Sequence, residues 1–318
     1  MHTYAYMRQL TTKTTLVLVI LGITILGIGF GIGKISSENS TTTGSEKYEL
    51  SLLAKRIQID NPSDTRLNFS PLRSQLNQYF EDNGIAGSLY FEYLPTGTSI
   101  RVNGDERYRA ASLIKLPVAM ELFKAQELGL LKLSDSVTLK EEWLNGGFGD
   151  LYQKGAGYTT TLEDLVTILL TDSDNTALRA IIEATSELGI EDRALGALDI
   201  EFNSDEDGVI FIGTRSYSSF LKCLYFSCYN TQEDSQQLLE ILTKTPFNGR
   251  LAAGVDDENT LVAHKIGVFQ ETVQSDCGIV YLAQNNYVLC LMIETGNNSE
   301  ADKYFSEISG LVVSFLKN

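Results

Sequence analysis

Ser112 and Lys115 stand three residues apart in the stretch YRAASLIKLPVAMELF, residues 108–123. On a helix that spacing puts both side chains on one face. From Leu113 to Met120 every residue except the lysine is apolar, and a helix apolar on all sides belongs in a domain interior. An ammonium there loses its hydration, so it must be paired or give up its proton. A desolvated lysine held neutral near pH 7 takes a proton from a neighbouring hydroxyl. A serine at a helix start also has backbone N–H groups at hand to stabilise an oxyanion. The pair reads as nucleophile and base for acyl transfer.

Ser-x-x-Lys alone is not diagnostic. The same chain carries SFLK at Ser219–Lys222 and again at Ser314–Lys317, both inside amphipathic helical patterns and both readable as plain helix. Ser112 differs in its company. TDSDNTALRAII places Ser173, Asp174 and Asn175 in a short polar connection between two helical patterns; taken singly, that is an N-cap cluster. VAHKIG ends an alternating strand with Lys265 and Gly267; taken singly, that is an edge-strand lysine.

The elements that must hold these groups are legible from periodicity. A helix starts with Ser70 as cap and Pro71 in the first turn, burying Leu72, Leu76, Tyr79 and Phe80. AGSLYFEYL and TSIRVN read as strands joined through Pro95, Thr96 and Gly97. From Ala111 to about Leu242 the patterns are mostly helical. Strands return at TLVAHKIG, CGIVYLA and NYVLCLMIE, before an amphipathic helix from about Ser299 to Leu316. Strands from both ends of the chain then form one sheet, and the helical block emerges as a second lobe of an α+β fold. The cleft between the lobes is a natural binding site, and Lys115 would face it.

Bulk properties narrow the function. The 318 residues carry a formal net charge of −16 with no lysine-arginine cluster, which argues against nucleic acid as a partner. Two histidines, His2 and His264, and no cysteine pair at a metal-knuckle spacing argue against a metal. Nothing calls for a cofactor. LVLVILGITILGIGFGIG, residues 16–33, is uncharged and follows Arg8 and Lys13. It is expected to be a single-pass signal anchor, with 1–15 cytoplasmic and the body of the chain extracytoplasmic; cleavage and secretion is the alternative. Residues 34–69 are a polar linker with room for a short helix at YELSLLAKRI, and 70–318 form the catalytic domain. Cys223 and Cys228 lie five apart on an apparent helix, pointing to different faces. Cys277 and Cys290 lie on strands joined at QNN, where a tight turn would not set them opposite each other. Buried free thiols are expected.

Taken in order, Ser112-x-x-Lys115, Ser173-Asp174-Asn175 and Lys265-x-Gly267 resemble the motif trio of class A β-lactamases and penicillin-binding serine peptidases. The resemblance runs from about Ser70 to Leu316 and includes GYTTTLEDLVTILLTDSDNTA and DCGIVYLAQNNYVLCLMIE. It implies the β-lactamase/DD-peptidase fold: a five-stranded antiparallel sheet flanked by terminal helices, with an inserted all-α lobe. It implies a β-lactam or acyl-D-Ala-D-Ala-like substrate. Ser112 would be acylated and Lys115 would accept its proton. Ser173 would relay a proton to the leaving nitrogen, and Asn175 would hold a substrate amide and help fix Lys115. Lys265 would attract the substrate carboxylate. Gly267 would let the strand come close. The N–H groups of Ser112 and Val268 would form the oxyanion hole.

Two departures stand out. The family's third motif has a hydroxyl where this chain has Ile266, and a lost hydrogen bond to a charged group is worth roughly 1.5–3 kcal/mol. The family's deacylating glutamate, in Glu-x-x-Leu-Asn after the second motif, has no counterpart between Asn175 and Arg215. The nearest match is Asp199, four residues before Asn203, whose shorter side chain would fall about 1–1.5 Å short. A misplacement of that size costs ~100-fold in rate. Three functions are therefore weighed: a class A β-lactamase, a D,D-peptidase that clears β-lactams slowly, and a binding module without turnover. Trp143 and Phe148, in EEWLNGGFGD, read either as an aromatic lid or as packing.

Overall fold

The computed structural model describes residues 67–188, 193–200, 203–206, 208–270, 272–283 and 285–317. The expected membrane span, 16–33, lies outside them. Among the described residues no helix is long and apolar enough to cross a membrane.

Helix α1 (Ser70–Asp82) leads into β1 (Gly87–Tyr93) and β2 (Thr98–Val102). Ser70 is the first helical residue rather than the cap, and its N–H is taken by Asn68 Oδ1 at 3.1 Å. Leu72, Leu76 and Phe80 are buried, one turn apart, while Tyr79 is half-buried and donates to Glu307. After the helical lobe come β8 (Val262–Phe269), β9 (Val273–Val280), β10 (Tyr287–Glu294) and a last helix, α8 (Asn298–Lys317). The sheet order is β2-β1-β10-β9-β8, antiparallel throughout, with Gly87 opposite Ile293 and Tyr93 opposite Tyr287. The first and last strands described, β1 and β10, thus pair in the middle of one sheet, as the pattern predicts.

Both faces of that sheet are covered, which is why its central strands read as unbroken apolar runs. Leu89, Phe91, Leu289, Leu291 and Ile293 pack towards α1 and α8 with Leu76, Phe305 and Val312. Tyr90, Ala263, Cys277, Val288 and Met292 belong to a second core shared with the helical lobe. That lobe holds α2 (Lys115–Glu127), α3 (Leu162–Thr171), α4 (Asn175–Thr185), α5 (Arg193–Ala197), α6 (Thr214–Phe226) and α7 (Gln232–Leu242). Two small ribbons complete it. One has the order β3-β7-β6 (Tyr108–Arg109, Ile210–Ile212, Asn203–Ser204), and the other pairs β4 (Ser136–Thr138) with β5 (Thr159–Thr161).

The cysteine expectation is wrong on both counts. The connection between β9 and β10 spans residues 281–286, not a two-residue turn, and the pairing of Val280 with Tyr287 sets Cys277 opposite Cys290, where they form a disulfide. Cys223 and Cys228 also form one. Helix α6 ends at Phe226, Ser227 turns left-handed at φ +52°, and the Cys228 N–H returns to the Cys223 carbonyl at 2.9 Å. Helical facing angles do not apply across a reversed end.

Candidate active site

The chain leaves β3 and makes a single 3-10 turn, Ala111–Ile114, that runs directly into α2. Ala111 sits at φ +46°, a left-handed conformation that a residue with a Cβ rarely adopts. The Leu113 N–H closes the turn on the Ala110 carbonyl at 2.9 Å. Ser112 is thereby presented half-buried, with Oγ 3.1 Å from Lys115 Nζ.

Lys115 is 1% exposed and hydrogen-bonds no carboxylate. Its amine faces Asn175 Oδ1 at 2.8 Å, Ser173 Oγ at 3.2 Å and, closest, the Ser173 carbonyl. Two of these four oxygens, the carbonyl and the amide oxygen, are acceptors only. A neutral amine has two N–H donors for those two, leaving its lone pair for a hydroxyl proton. Burial lowers the Lys115 pKa from 10.5 to about 8, against a smaller upward pull from Asp174. At pH 7 roughly a tenth of the molecules then carry the free amine.

Ser173 and Asp174 occupy the junction of α3 and α4. Ser173 is fully buried in the left-handed region at φ +57°. Asp174 caps α4, with Oδ1 accepting from the Ala177 N–H at 2.8 Å and Oδ2 from the Leu151 N–H at 2.9 Å. The next amide, Asn175, donates to the Phe148 carbonyl at 3.0 Å. The N-cap reading of this cluster is correct, and the same cap turns Ser173 towards the lysines.

Lys265, also 1% exposed, reaches in from β8 and donates to Ser173 Oγ at 2.8 Å. One hydroxyl therefore bridges two amines. Burial pushes Lys265 well below its ordinary pKa; the charge of Lys115 pushes the same way, and Asp276 and Asp172 oppose it. When Lys115 gives up its proton, that repulsion goes and Lys265 is better able to stay charged.

The model of the β-lactamase enzyme family matches residues 71–316. The chain belongs to that family. Among similar solved structures, PBP-A is 24% identical over 78% of this chain and 96% of its own, with a TM-score of 0.69. The β-lactamase from Sphaerobacter thermophilus DSM 20745 is 23% identical over 79% and 98%, at 0.70. An ancestral class A β-lactamase is 21% identical over 76% and 99%, at 0.68. All three share the fold. No curated protein matches the sequence.

Against that family pattern, Gly267 has a second use. A Cβ there would stand 3.2 Å from Leu113 Cγ and 3.3 Å from the Ala110 carbonyl, so glycine lets β8 close on the serine turn. Val268, half-buried, follows on this edge strand opposite Gln274. Ile266 is buried and opposite Asp276, with nothing to donate. Asp199 lies exposed beyond α5 at φ +52°, its backbone N–H on the Gly196 carbonyl. Among the described residues, no carboxylate hydrogen-bonds Ser112, Lys115 or Ser173.

Sequence reasoning missed the support for the second motif. Gly149, at φ +81°, lies so close to Asp174 that a Cβ would stand 2.2 Å from Oδ2. The Asn145 N–H donates to Thr176 Oγ1 at 2.9 Å. The run NGGFGD was the available signal. Trp143 is buried in the lobe core, which answers the lid question for that residue as packing. Phe148 is half-buried and meets Phe247, ring centroids 5.7 Å apart.

Proposed function

We propose that this chain is an exported active-site-serine hydrolase of the class A β-lactamase type, held at the membrane by residues 16–33, that opens the β-lactam amide through an acyl-serine. The observation that carries this reading is Lys115, buried among neutral oxygens, 3.1 Å from Ser112 Oγ. The free amine takes the Ser112 proton while Oγ bonds to the lactam carbonyl carbon. The oxyanion is received by the N–H groups of Ser112 and of Val268 on the edge of β8. When the C–N bond breaks, the nitrogen takes the Ser173 hydroxyl proton, and Lys115 replaces it across 3.2 Å. Lys265 supplies the cation for the substrate carboxylate, and Asn175 holds an amide of the acyl side chain.

Deacylation favours a second reading. Water attacking the ester needs a base, and Asp199 is exposed with no hydrogen bond to the described site. A penicillin-binding D,D-peptidase, acylated quickly and cleared slowly, fits that arrangement. A variant of PBP-A, a chain similar to this one, is known as an acyl-enzyme complex with penicillin G.

Fluorescent penicillin and nitrocefin decide. Rapid labelling with slow loss supports the peptidase reading. Fast nitrocefin turnover that vanishes in Ser112→Ala and collapses in Asp199→Asn supports the lactamase. No labelling overturns both and leaves a binding module.

A further inference from the structure

A cavity of about 640 Å³ lies between the β3-β7 ribbon and the β8–β9 turn, with the end of β10 beside it. Arg107, Arg109, Phe211, Phe269, Thr272 and Glu294 are among its walls. Its volume is that of a small-molecule site. The Arg109 guanidinium lies 4.3 Å from the Phe269 ring centroid and 5.8 Å from that of Phe211. These rings orient the plane of the guanidinium but use none of its five N–H donors. Among the described residues neither Arg109 nor Arg107 makes a hydrogen bond or an ion pair, and Glu294 is not within pairing distance of either. Shortage of acids does not explain this, since the chain has 41 carboxylate residues against 25 basic ones. Lys222, Arg250 and Lys317 all find a carboxylate.

A half-buried guanidinium held near two aromatic rings, with its hydrogen-bonding edge unused among the described residues, matches a planar carboxylate received through two parallel bonds. The walls are also continuous with the catalytic elements. Arg109 ends β3, with one residue between it and the start of the serine turn, and Phe269 lies two residues after Gly267 on β8.

We infer that this cavity binds a carboxylate carried on a small organic molecule, with Arg109 as its main anchor and Arg107 as its second. Two sources share that chemistry. One is the distal end of the acyl donor, a source that rests on the serine-hydrolase reading above. The other is a separate small acid.

The test titrates the full chain with benzoate and with uncharged benzamide, followed by calorimetry or NMR, so that no acylation is needed. Benzoate is expected to bind saturably and at least tenfold more tightly than benzamide. Arg109→Gln, which keeps a polar stem and removes the charge, is expected to weaken benzoate at least tenfold, with Arg107→Gln weaker in effect. Equal binding of the two probes, or benzoate affinity untouched in Arg109→Gln, overturns the inference. Benzoate is then added during penicillin labelling of Ser112. Slowing only a β-lactam whose side chain ends in a carboxylate supports the acyl-donor source; slowing none supports a separate acid. Slowing all β-lactams equally places benzoate at Ser112 and overturns the inference. Because binding is read directly, failure of penicillin labelling and failure of this site are separate results.

Discussion

Lys115 and Lys222 each follow a serine by three residues in a helical segment, and their surroundings are opposite. Lys222 Nζ meets Glu92 Oε2 at 2.8 Å and passes within 5.7 Å of the Tyr90 ring. Lys317, in the third Ser-x-x-Lys, pairs with Asp256. A carboxylate partner holds a lysine charged. Lys115 meets only neutral oxygens and lies at the first residue of α2, where the helix dipole also disfavours an ammonium. Withholding an acid and water together lowers the pKa of this amine, as the proposed base requires, and the letters of the motif do not encode either.

The largest effect should come from removing the amine. Lys115→Met is expected to cut the rate of penicillin labelling about a thousandfold or more while the chain stays folded, and Ser112→Ala to abolish it. Lys222→Met in the same assay should label as the wild type does. Normal labelling of Lys115→Met would end the comparison, because the buried amine would then be structural.

The second effect is a pH dependence with a worked sign. The folded pKa of Lys115 is lowered from 10.5 to about 8. Below about pH 8 both folded and unfolded chains hold the proton, and the burial penalty is fully present. Between about 8 and 10.5 the unfolded chain binds the proton that the folded chain has lost, so stability rises with pH across that window. The difference in unfolding free energy between wild type and Lys115→Met should shift by about 3 kcal/mol over it. Labelling should rise to a plateau through an inflection near pH 8. Asp174→Asn keeps the cap but removes the charge that raises this pKa, so its inflection should lie lower. An inflection that stays put, measured by stopped-flow labelling, would remove Asp174 from the electrostatics of the site.

The contrast also shows what the sequence carried. The lobes, the sheet strands and the three motif positions were legible because each rests on local periodicity or on a family resemblance. The sheet's register was not legible, since it depends on a six-residue connection, 281–286, that looks from QNN like a tight turn. Both cysteine pairings followed from that kind of geometry, register in one case and a left-handed Ser227 in the other. The use of Gly149 was hidden as well: its partner, Asp174, is 25 residues away, and only the fold brings its carboxylate against a glycine. Asp199 shows the converse. Its spacing to Asn203 suggested a base, but the end of α5 leaves it exposed.

Gly149→Ala sharpens the comparison at intermediate size. The site around Lys115 depends on Ser173 and Asn175, and these on Asp174 being clamped by the loop at 148–151. An added methyl meets both a left-handed backbone and the Asp174 side chain. It is expected to destabilise by about 2 kcal/mol and to slow labelling together with the loss of stability. Chemical denaturation read alongside labelling tests the link. A variant destabilised to that extent yet labelled at the wild-type rate would show that the clamp serves the fold rather than the lysine.

The smallest effects belong to the two look-alike lysines, and they differ from each other. Glu92 is mostly buried, and Lys222→Met leaves it only the Tyr90 hydroxyl as a side-chain partner among the described residues. A part-buried pair of this kind is worth about 1 kcal/mol. Its loss should lower the midpoint of unfolding at low salt and less so at high salt, since screening weakens what remains exposed. Lys317 meets an exposed Asp256 at the surface, and Lys317→Met should leave the midpoint where it is. A Lys222→Met variant as stable as Lys317→Met would mean that Glu92 is satisfied by Tyr90 alone. The second Ser-x-x-Lys would then be surface in energy as well as in chemistry, and the distinction between the three copies would rest on Lys115 by itself.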